Sequence, residues 1–326
     1  MHLLIVGAAG MIGRKLAERV TATGTMGGQP VDTLTLVDVI TPQVAVDFKG
    51  SRHAIAADLS TLGTAAALVA VRPDVIVHLA AIVSGEAEAD FDKGYAINLD
   101  GTRALFDAIR LIDGYVPRVI YASSLAVFGA PFPDRIGDDF LVAPLTSYGT
   151  QKAMGELLLD DYSRRGFLDG VGIRFPTICI RPGKPNAAAS GFFSGILREP
   201  LNGLPAILPV PESTRHWHAS PRAAIGFLEH AVGLDTAKMG HRRSLMMPGV
   251  SATVGDQIAA LRAVAGDKAV GLIRHEPNEA INRIVSSWAR DFDPRRARDL
   301  GFRAETSFQE IIQVYIEDEL GDRLPA

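Results

Sequence analysis

"IVGAAGMIG", residues 5–13, decides the fold. Gly7, Gly10 and Gly13 recur at every third position, behind the apolar run "HLLIV" (2–6) and ahead of "MIGRKLAERVTAT" (11–23) with its helical spacing. Glycine lets a backbone turn sharply and come close to a pyrophosphate, whose charge then faces the N–H groups at the helix start. An ordinary strand-to-helix turn also accepts glycine, but here the strand and the helix that the motif needs are both present. The stretch predicts a dinucleotide site, with Met11 and Ile12 in the same loop.

The second strand, "TLTLVD" (33–38), ends in Asp38, 25 residues after Gly13. A carboxylate there can accept hydrogen bonds from both adenosine ribose hydroxyls and repels a 2′-phosphate. No arginine follows immediately to neutralise such a phosphate, so NAD is expected rather than NADP. "AADLS" (56–60) places Asp58 and Leu59 behind a short third strand. Asp58 reads equally as a partner of the adenine amino group or as a cap for the next helix. In "HLAA" (78–81), Leu79, Ala80 and Ala81 either let a cofactor pass the sheet edge or pack a helix tightly.

A helical stretch from about Asp90 to Leu111 precedes the strand "PRVIYASS" (117–124). The helix "SYGTQKAMGELLLDDYSRRG" (147–166) and the strand "VGIRFPTICI" (171–180) follow. Strands alternating with helices imply an α/β fold, a doubly wound parallel sheet covered on both faces. Beyond Arg181, prolines at 182, 185, 200, 205, 209 and 211 break the alternation. Helices are expected again over 221–232, 253–266 and 307–320, and a strand in "RSLMMP" (243–248).

Of the 326 residues, 47% are hydrophobic and 21% charged, and the net charge of −4 leaves no basic footprint for nucleic acid. Cys179 is the single cysteine, so no disulfide forms within one chain; it sits in an apolar strand and reads as packing. The first residues are too short an apolar run for a signal peptide, and no stretch approaches a membrane span. These features predict a cytoplasmic protein without nucleic-acid or membrane partners. His216 and His218 alternate, but no third ligand is evident, so no metal is expected.

The chemistry gathers around "VIYASS" and "SYGTQK". Ser123 and Ser124 end the fifth strand; Tyr148 and Lys152 lie one turn apart at the start of the next helix. Oxidising an alcohol by hydride transfer to nicotinamide needs a base for the hydroxyl proton. Free tyrosine, with a pKa of about 10, is a poor base near neutrality. A lysine ammonium and the cationic nicotinamide ring would favour the phenolate. The lysine can also hold the nicotinamide ribose, and serine can hold the substrate oxygen.

Gly7, Gly10 and Gly13, Asp38, Asp58, the "LAA" turn, Asn98, "SSLAVFG" and "YGTQK" together resemble the extended short-chain dehydrogenase/reductases, the NAD-dependent epimerase/dehydratase superfamily. The resemblance implies a Rossmann-type domain over 1–178 and a smaller substrate-binding lobe over 179–326, with a return to the first domain around 215–240. It implies Ser124, Tyr148 and Lys152 as the catalytic group, Asn98 close behind the site, and Pro176 and Thr177 passing the nicotinamide with their backbone. Longer stretches, among them "AAIVSGEAEADFDKGYAINLDGTR" and "PTICIRPGKPNAAASGFFSGI", resemble a subgroup that oxidises the 2-hydroxyl of a four-carbon sugar acid.

The departures agree. Thr177 stands near the position where nucleotide-sugar members carry asparagine, and "TRHWHASPR" fits their later signature only loosely. Ser124-Leu125 replaces the Asp-Glu pair of dehydratases. A hydroxy-acid substrate needs a guanidinium clamp for its carboxylate. The candidates are Arg174, Arg181, Lys184, Arg198, Arg215 and Arg222; Arg215 is favoured, with Arg181 and Lys184 behind it. Ser84, Ser123 and Ser190 are further substrate candidates; Glu86 could join Ser84, and Phe192 and Phe193 either wall the pocket or face the core. Competing readings are a nucleotide-sugar 4-epimerase with tightly bound NAD and a non-enzymatic NAD sensor. "MGELLLDDY" and "FDKGYAINLDGTRALF" are apolar on more than one face, which predicts a homodimer.

Overall fold

The computed structural model describes residues 1–43, 47–183 and 189–324. Ten strands carry the argument: β1 (His2–Val6), β2 (Thr33–Asp38), β3 (Ser51–Ala56), β4 (Val75–His78), β5 (Arg118–Ser124), β6 (Asp169–Phe175), β7 (Thr177–Ile178), β8 (Arg215–Ala219), β9 (Ser244–Met246) and β10 (Val250–Thr253). Seven form one sheet in the order β9-β6-β5-β4-β1-β2-β3, every pair parallel.

β1 shows why these residues make a central strand. Leu3 and Ile5 face one apolar layer and Leu4 and Val6 the other. A strand buried on both faces reads as a continuous apolar run rather than an alternating one. The chain goes from β1 to β2 and β3 on one side, then crosses to β4 and β5 on the other. That reversal opens a crevice at the carboxyl ends of the strands, where ligands bind in such sheets.

The helix α1 (Met11–Thr23) leaves the glycine loop. A short helix at Ser84–Ala89 precedes the expected helix over 90–111, which is broken into Phe91–Tyr95, a single wide turn at Ala96–Asp100, and α2 (Gly101–Arg110). Such wide turns insert an extra residue and turn a side chain out of register. Here that side chain is Asn98, whose amide accepts from the Ile82 N–H and donates to the Ile82 carbonyl. The helix α3 (Ser147–Arg164) is capped by Thr146, which accepts from the Gly149 N–H at 3.1 Å.

"VGIRFPTICI" is two strands rather than one. Pro176 has no N–H to continue the ladder, so β6 ends at Phe175 in the large sheet. β7 begins at Thr177 in a three-stranded sheet, parallel to β8, which is antiparallel to β10. Around this sheet lies a separate apolar cluster that includes Cys179, Phe193, Ile196, Leu261, Ile311 and Tyr315. It draws on α4 (Gly191–Leu201) and on the later helices Val254–Val270 and Phe308–Leu320. The intervening α5 (Pro221–Val232) packs on α1, and β9 then joins the edge of the large sheet. Among the described residues, no helix is long and apolar enough to cross a membrane.

Candidate active site

The glycine loop is tight at two points. Gly7 has φ +93°, and a Cβ there would lie 2.5 Å from the Ala80 nitrogen. A Cβ on Gly13 would lie 2.3 Å from the Gly7 carbonyl oxygen. Neither position admits a side chain, so bare backbone faces the crevice. No side chain caps α1, and its first turn holds no acid; its N–H groups are left for an anion. Asp38 stands beside the loop, accepting from the Ala9 and Val39 N–H groups at 2.8 Å each. These residues fit a dinucleotide.

A cavity of about 720 Å³ runs from this loop toward the second lobe. Its near end is lined by Gly7, Gly10, Met11, Ile12 and Gly13, with Leu79, Ala81 and Ser84 alongside. Its middle holds Ser123, Ser124, Tyr148 and Lys152, and its far end Pro176, Thr177, Arg181 and Ser190. Ala80 sits behind the wall, its N–H donated to the Val6 carbonyl. Asn98 is fully buried behind it too, where its amide also donates to Gln151 on α3 at 2.8 Å. It ties α3 to the loop at Ile82 without reaching the cavity. Asp58 accepts from the Ser60 N–H and hydroxyl, closing the local turn, and Leu59 is packed in the apolar layer with Phe106.

Arg215 is not brought to this cavity. It lies in a neighbouring depression with Asp134, Ser251 and Arg290, held to Ser251 and paired at 3.7 Å with Asp256. Pairing of β8 with β10 turns its side chain to that side. Arg181 lines the cavity beside Ser190, and Arg14 lines its glycine-loop end. The Arg181 Nε donates to the Ile178 carbonyl at 2.9 Å and its Nη2 to Ser190 Oγ at 3.1 Å. Arg198, also at the wall, donates to the Arg181 carbonyl and pairs with Glu199. Arg174 is engaged by Glu156, and Arg222 by Glu317 and Asp318 on the surface. Lys184 lies outside the described residues. Phe193 is fully buried, so the core-facing reading holds for it; Phe192 packs beside the same cluster, and Glu86 pairs with Lys93 on the surface.

Among the wall residues that the sequence reading did not single out are Arg14, Phe128, Thr146, Ser194 and Trp288. Ser194 takes the Arg181 N–H at 3.0 Å. His216 also reaches the wall, its ring bonded to Thr177 Oγ at 2.7 Å and to the Ala289 carbonyl at 3.0 Å. Burial holds its pKa down to about 4, so it is neutral. Among the described residues no cluster of three His, Cys, Asp or Glu could hold a metal. Cys179 packs as expected, and burial pushes its thiol up to about 12.

The electrostatics of the central pair differ from the expectation that Lys152 lowers the Tyr148 pKa. Burial pushes Tyr148 up to about 12; a hydrogen bond with Ser124 and the charge of Arg181 pull the other way without overcoming it. Lys152 is itself pushed down to about 7 by burial, against the pull of Glu156. Its Nζ donates to the Ala122 carbonyl at 2.8 Å and lies 5.8 Å from the centre of the Tyr148 ring. A buried lysine that loses its charge so readily is a weak activator of a neighbour.

The chain belongs to the NAD dependent epimerase/dehydratase family, whose profile matches residues 3–217. Its cofactor is NAD. Among relatives, the D-erythronate dehydrogenase of Cupriavidus necator is 45% identical over 322 residues, 98% of both chains. That of Haemophilus influenzae is 40% identical over 320 residues, 98% of this chain and all of the other. A crystal structure described as a nucleoside-diphosphate-sugar epimerase from Agrobacterium tumefaciens is 67% identical, with TM-score 0.98, over 100% of this chain and 96% of that one.

Proposed function

We propose that the protein is an NAD-dependent dehydrogenase that oxidises the 2-hydroxyl of a small sugar acid, of the D-erythronate kind, to the 2-keto acid. The observation that carries this is Arg181, which lines the same cavity as Ser124 and Tyr148. A carboxylate gripped by Arg181 leaves the adjacent C2 hydroxyl at Tyr148. The names of the two curated relatives agree with this reading.

In this reading Tyr148 takes the hydroxyl proton, and Ser124 holds the same oxygen in line. NAD, when bound, supplies the acceptor for the hydride that leaves C2. The glycine loop would hold its pyrophosphate, Asp38 its adenosine ribose, Asp58 and Leu59 its adenine, and Lys152 its nicotinamide ribose, with Pro176 and Thr177 toward the nicotinamide. Ser84, Ser123 and Ser190 are assigned to the substrate side; Ser123 acts there indirectly, because its hydroxyl is donated to Glu156. The second lobe, 179–326, supplies Arg181 and Ser190 and serves to bind substrate, and the first domain, 1–178, to bind NAD. The protein is assigned as a homodimer, paired through α2 and α3, where Leu157 is 68% exposed.

A second reading, a nucleotide-sugar 4-epimerase that keeps its NAD bound, is favoured by the name of the Agrobacterium structure. One experiment separates them. The purified protein is given NAD and a set of aldonic acids, and absorbance of NADH is followed. The dehydrogenase accumulates NADH in step with the acid consumed. No NADH with any acid, together with interconversion of a nucleotide sugar, overturns the first reading.

A further inference from the structure

Behind the central pair lies a buried ionic group that the steps above do not use. Glu156 is one turn beyond Lys152 on α3, inside the otherwise apolar "MGELLL". Its carboxylate accepts two bonds from Arg174, Nε at 2.8 Å and Nη2 at 2.7 Å, and one from the Ser123 hydroxyl. The side chains are 5% and 11% exposed for Glu156 and Arg174, so the pair is withdrawn from water. Ser123 and Arg174 sit opposite each other in the β5–β6 register, one residue before Ser124 and Phe175. The Arg174 guanidinium also lies 5.0 Å from the centre of the Phe128 ring, another wall of the cavity. Removing solvent from two charges is costly, and a pair of apolar residues often serves stability as well. The position of the charge therefore calls for a reason.

The surroundings of Lys152 supply one. Its ammonium faces the Tyr121 ring on β5 at 5.0 Å and the Tyr148 ring on its own helix. His78 on β4 also feels the lysine charge, and burial with that charge holds it down to about 3, so it is neutral. The other neighbouring carboxyl, Asp160, faces Glu156 and Arg174, and burial raises its pKa. Glu156, four residues beyond Lys152 on the same helix, is the carboxylate whose charge pulls the Lys152 pKa up.

We propose that Glu156 is a positioning residue of the reaction: its buried carboxylate ties the Ser123–Ser124 end of β5 to the lysine helix and places a negative charge one turn from Lys152 that favours its ammonium form. The consequence concerns one proton shared by two groups. When the Tyr148–Lys152 pair loses its first proton, either the phenol or the ammonium can release it. The productive form keeps the proton on Lys152 and leaves the phenolate as base. Glu156 shifts the balance toward that form. The inference rests on the base and lysine roles assigned above.

The test compares the wild type with Glu156→Gln and with the double variant Glu156→Gln/Arg174→Met. The double variant removes both buried charges and so relieves the unpaired guanidinium left by the single change. Two readouts are taken. In protein carrying labelled lysine, the Lys152 Cε resonance is titrated by NMR, independent of turnover. Its midpoint is expected to move to lower pH by about one unit in Glu156→Gln, at the low end for loss of a nearby opposite charge, and in the same direction but by less in the double variant, where a repelling guanidinium is lost as well. With D-erythronate and NAD, kcat is expected to match the wild type at acid pH. It should level off earlier, at a plateau about tenfold lower, one pH unit being one decade. An unchanged Lys152 midpoint overturns the proposal. So does a double variant with the wild-type pH profile, or a loss of kcat that is uniform at every pH, since each marks Glu156 as scaffolding only. Absence of NADH with the wild type, beside a shifted midpoint, overturns the substrate reading and leaves Glu156 as the group that sets the charge of Lys152.

Discussion

Arg181→Met removes the proposed carboxylate grip while keeping an unbranched side chain of similar length. In the folded chain the guanidinium is already oriented by the Ile178 carbonyl and Ser190 Oγ. Little ordering is then needed to receive a carboxylate. A charge-assisted hydrogen bond contributes about 1.5–3 kcal/mol. Two of them in this half-buried position are worth about 3–4 kcal/mol, so kcat/KM for the acid should fall by roughly 10²–10³-fold. Arg181→Lys keeps the charge but not the fork and should lie between. The assay is initial NADH formation from D-erythronate and from its neutral amide, which keeps the 2-hydroxyl and lacks the charge. Wild type should prefer the acid strongly, and Arg181→Met should erase most of that preference. A second consequence has a definite sign. The Arg181 charge pulls the Tyr148 pKa down, so its removal should move the rising limb of oxidation to higher pH. If Arg181→Met, folded by its melting temperature, keeps the wild-type preference for acid over amide, the carboxylate is held elsewhere and the reasoning fails.

Tyr148→Phe keeps the ring and should bind NAD normally while kcat drops about 10²–10⁴-fold, the range for a positioned base; near-normal kcat would make the tyrosine a packing residue. Lys152→Ala should weaken NAD binding as well as turnover, and its rising limb should lie at higher pH, because the pair loses its readier proton, on Lys152 near 7, and Tyr148, raised by burial, must titrate alone. Asp38→Ala should narrow the preference for NAD over NADP in kcat/KM, since it removes both a ribose acceptor and a repulsive charge; equal use of both cofactors by the wild type would contradict the role. Leu157→Glu, changing an exposed apolar residue of α3, should shift sedimentation from dimer to monomer, and a wild type that sediments as a monomer at micromolar concentration would refute the dimer.

Much of the cofactor end was legible in the sequence, because its signals are local. Three glycines between a strand and a helix need only their neighbours to define a turn, and Tyr148 and Lys152 share a face through the period of the helix alone. β1, α1 and β2 fall on the residues that their apolar patterns mark. Asn98 was legible as lying behind the site, but the wide turn that aims its amide at Ile82 was not.

The substrate end was decided by tertiary structure. Arg181 and Arg215 are the same residue type, and composition cannot rank them. The break at Pro176 moves the chain from one sheet to another, and the pairing of β7, β8 and β10 then turns Arg181 into the cavity and Arg215 away from it. The carboxylate in "MGELLL" could have signalled a buried partner, being a lone charge in an apolar run on the lysine helix. Its partners Ser123 and Arg174 lie 33 and 18 residues away. The pKa of Tyr148 depends in the same way on distant groups and on burial. Periodicity reports what a residue does to its own helix or strand. Which charges meet, and how far water is excluded from them, follows only when separate elements pack, because Coulomb interactions and desolvation depend on distance in space rather than along the chain.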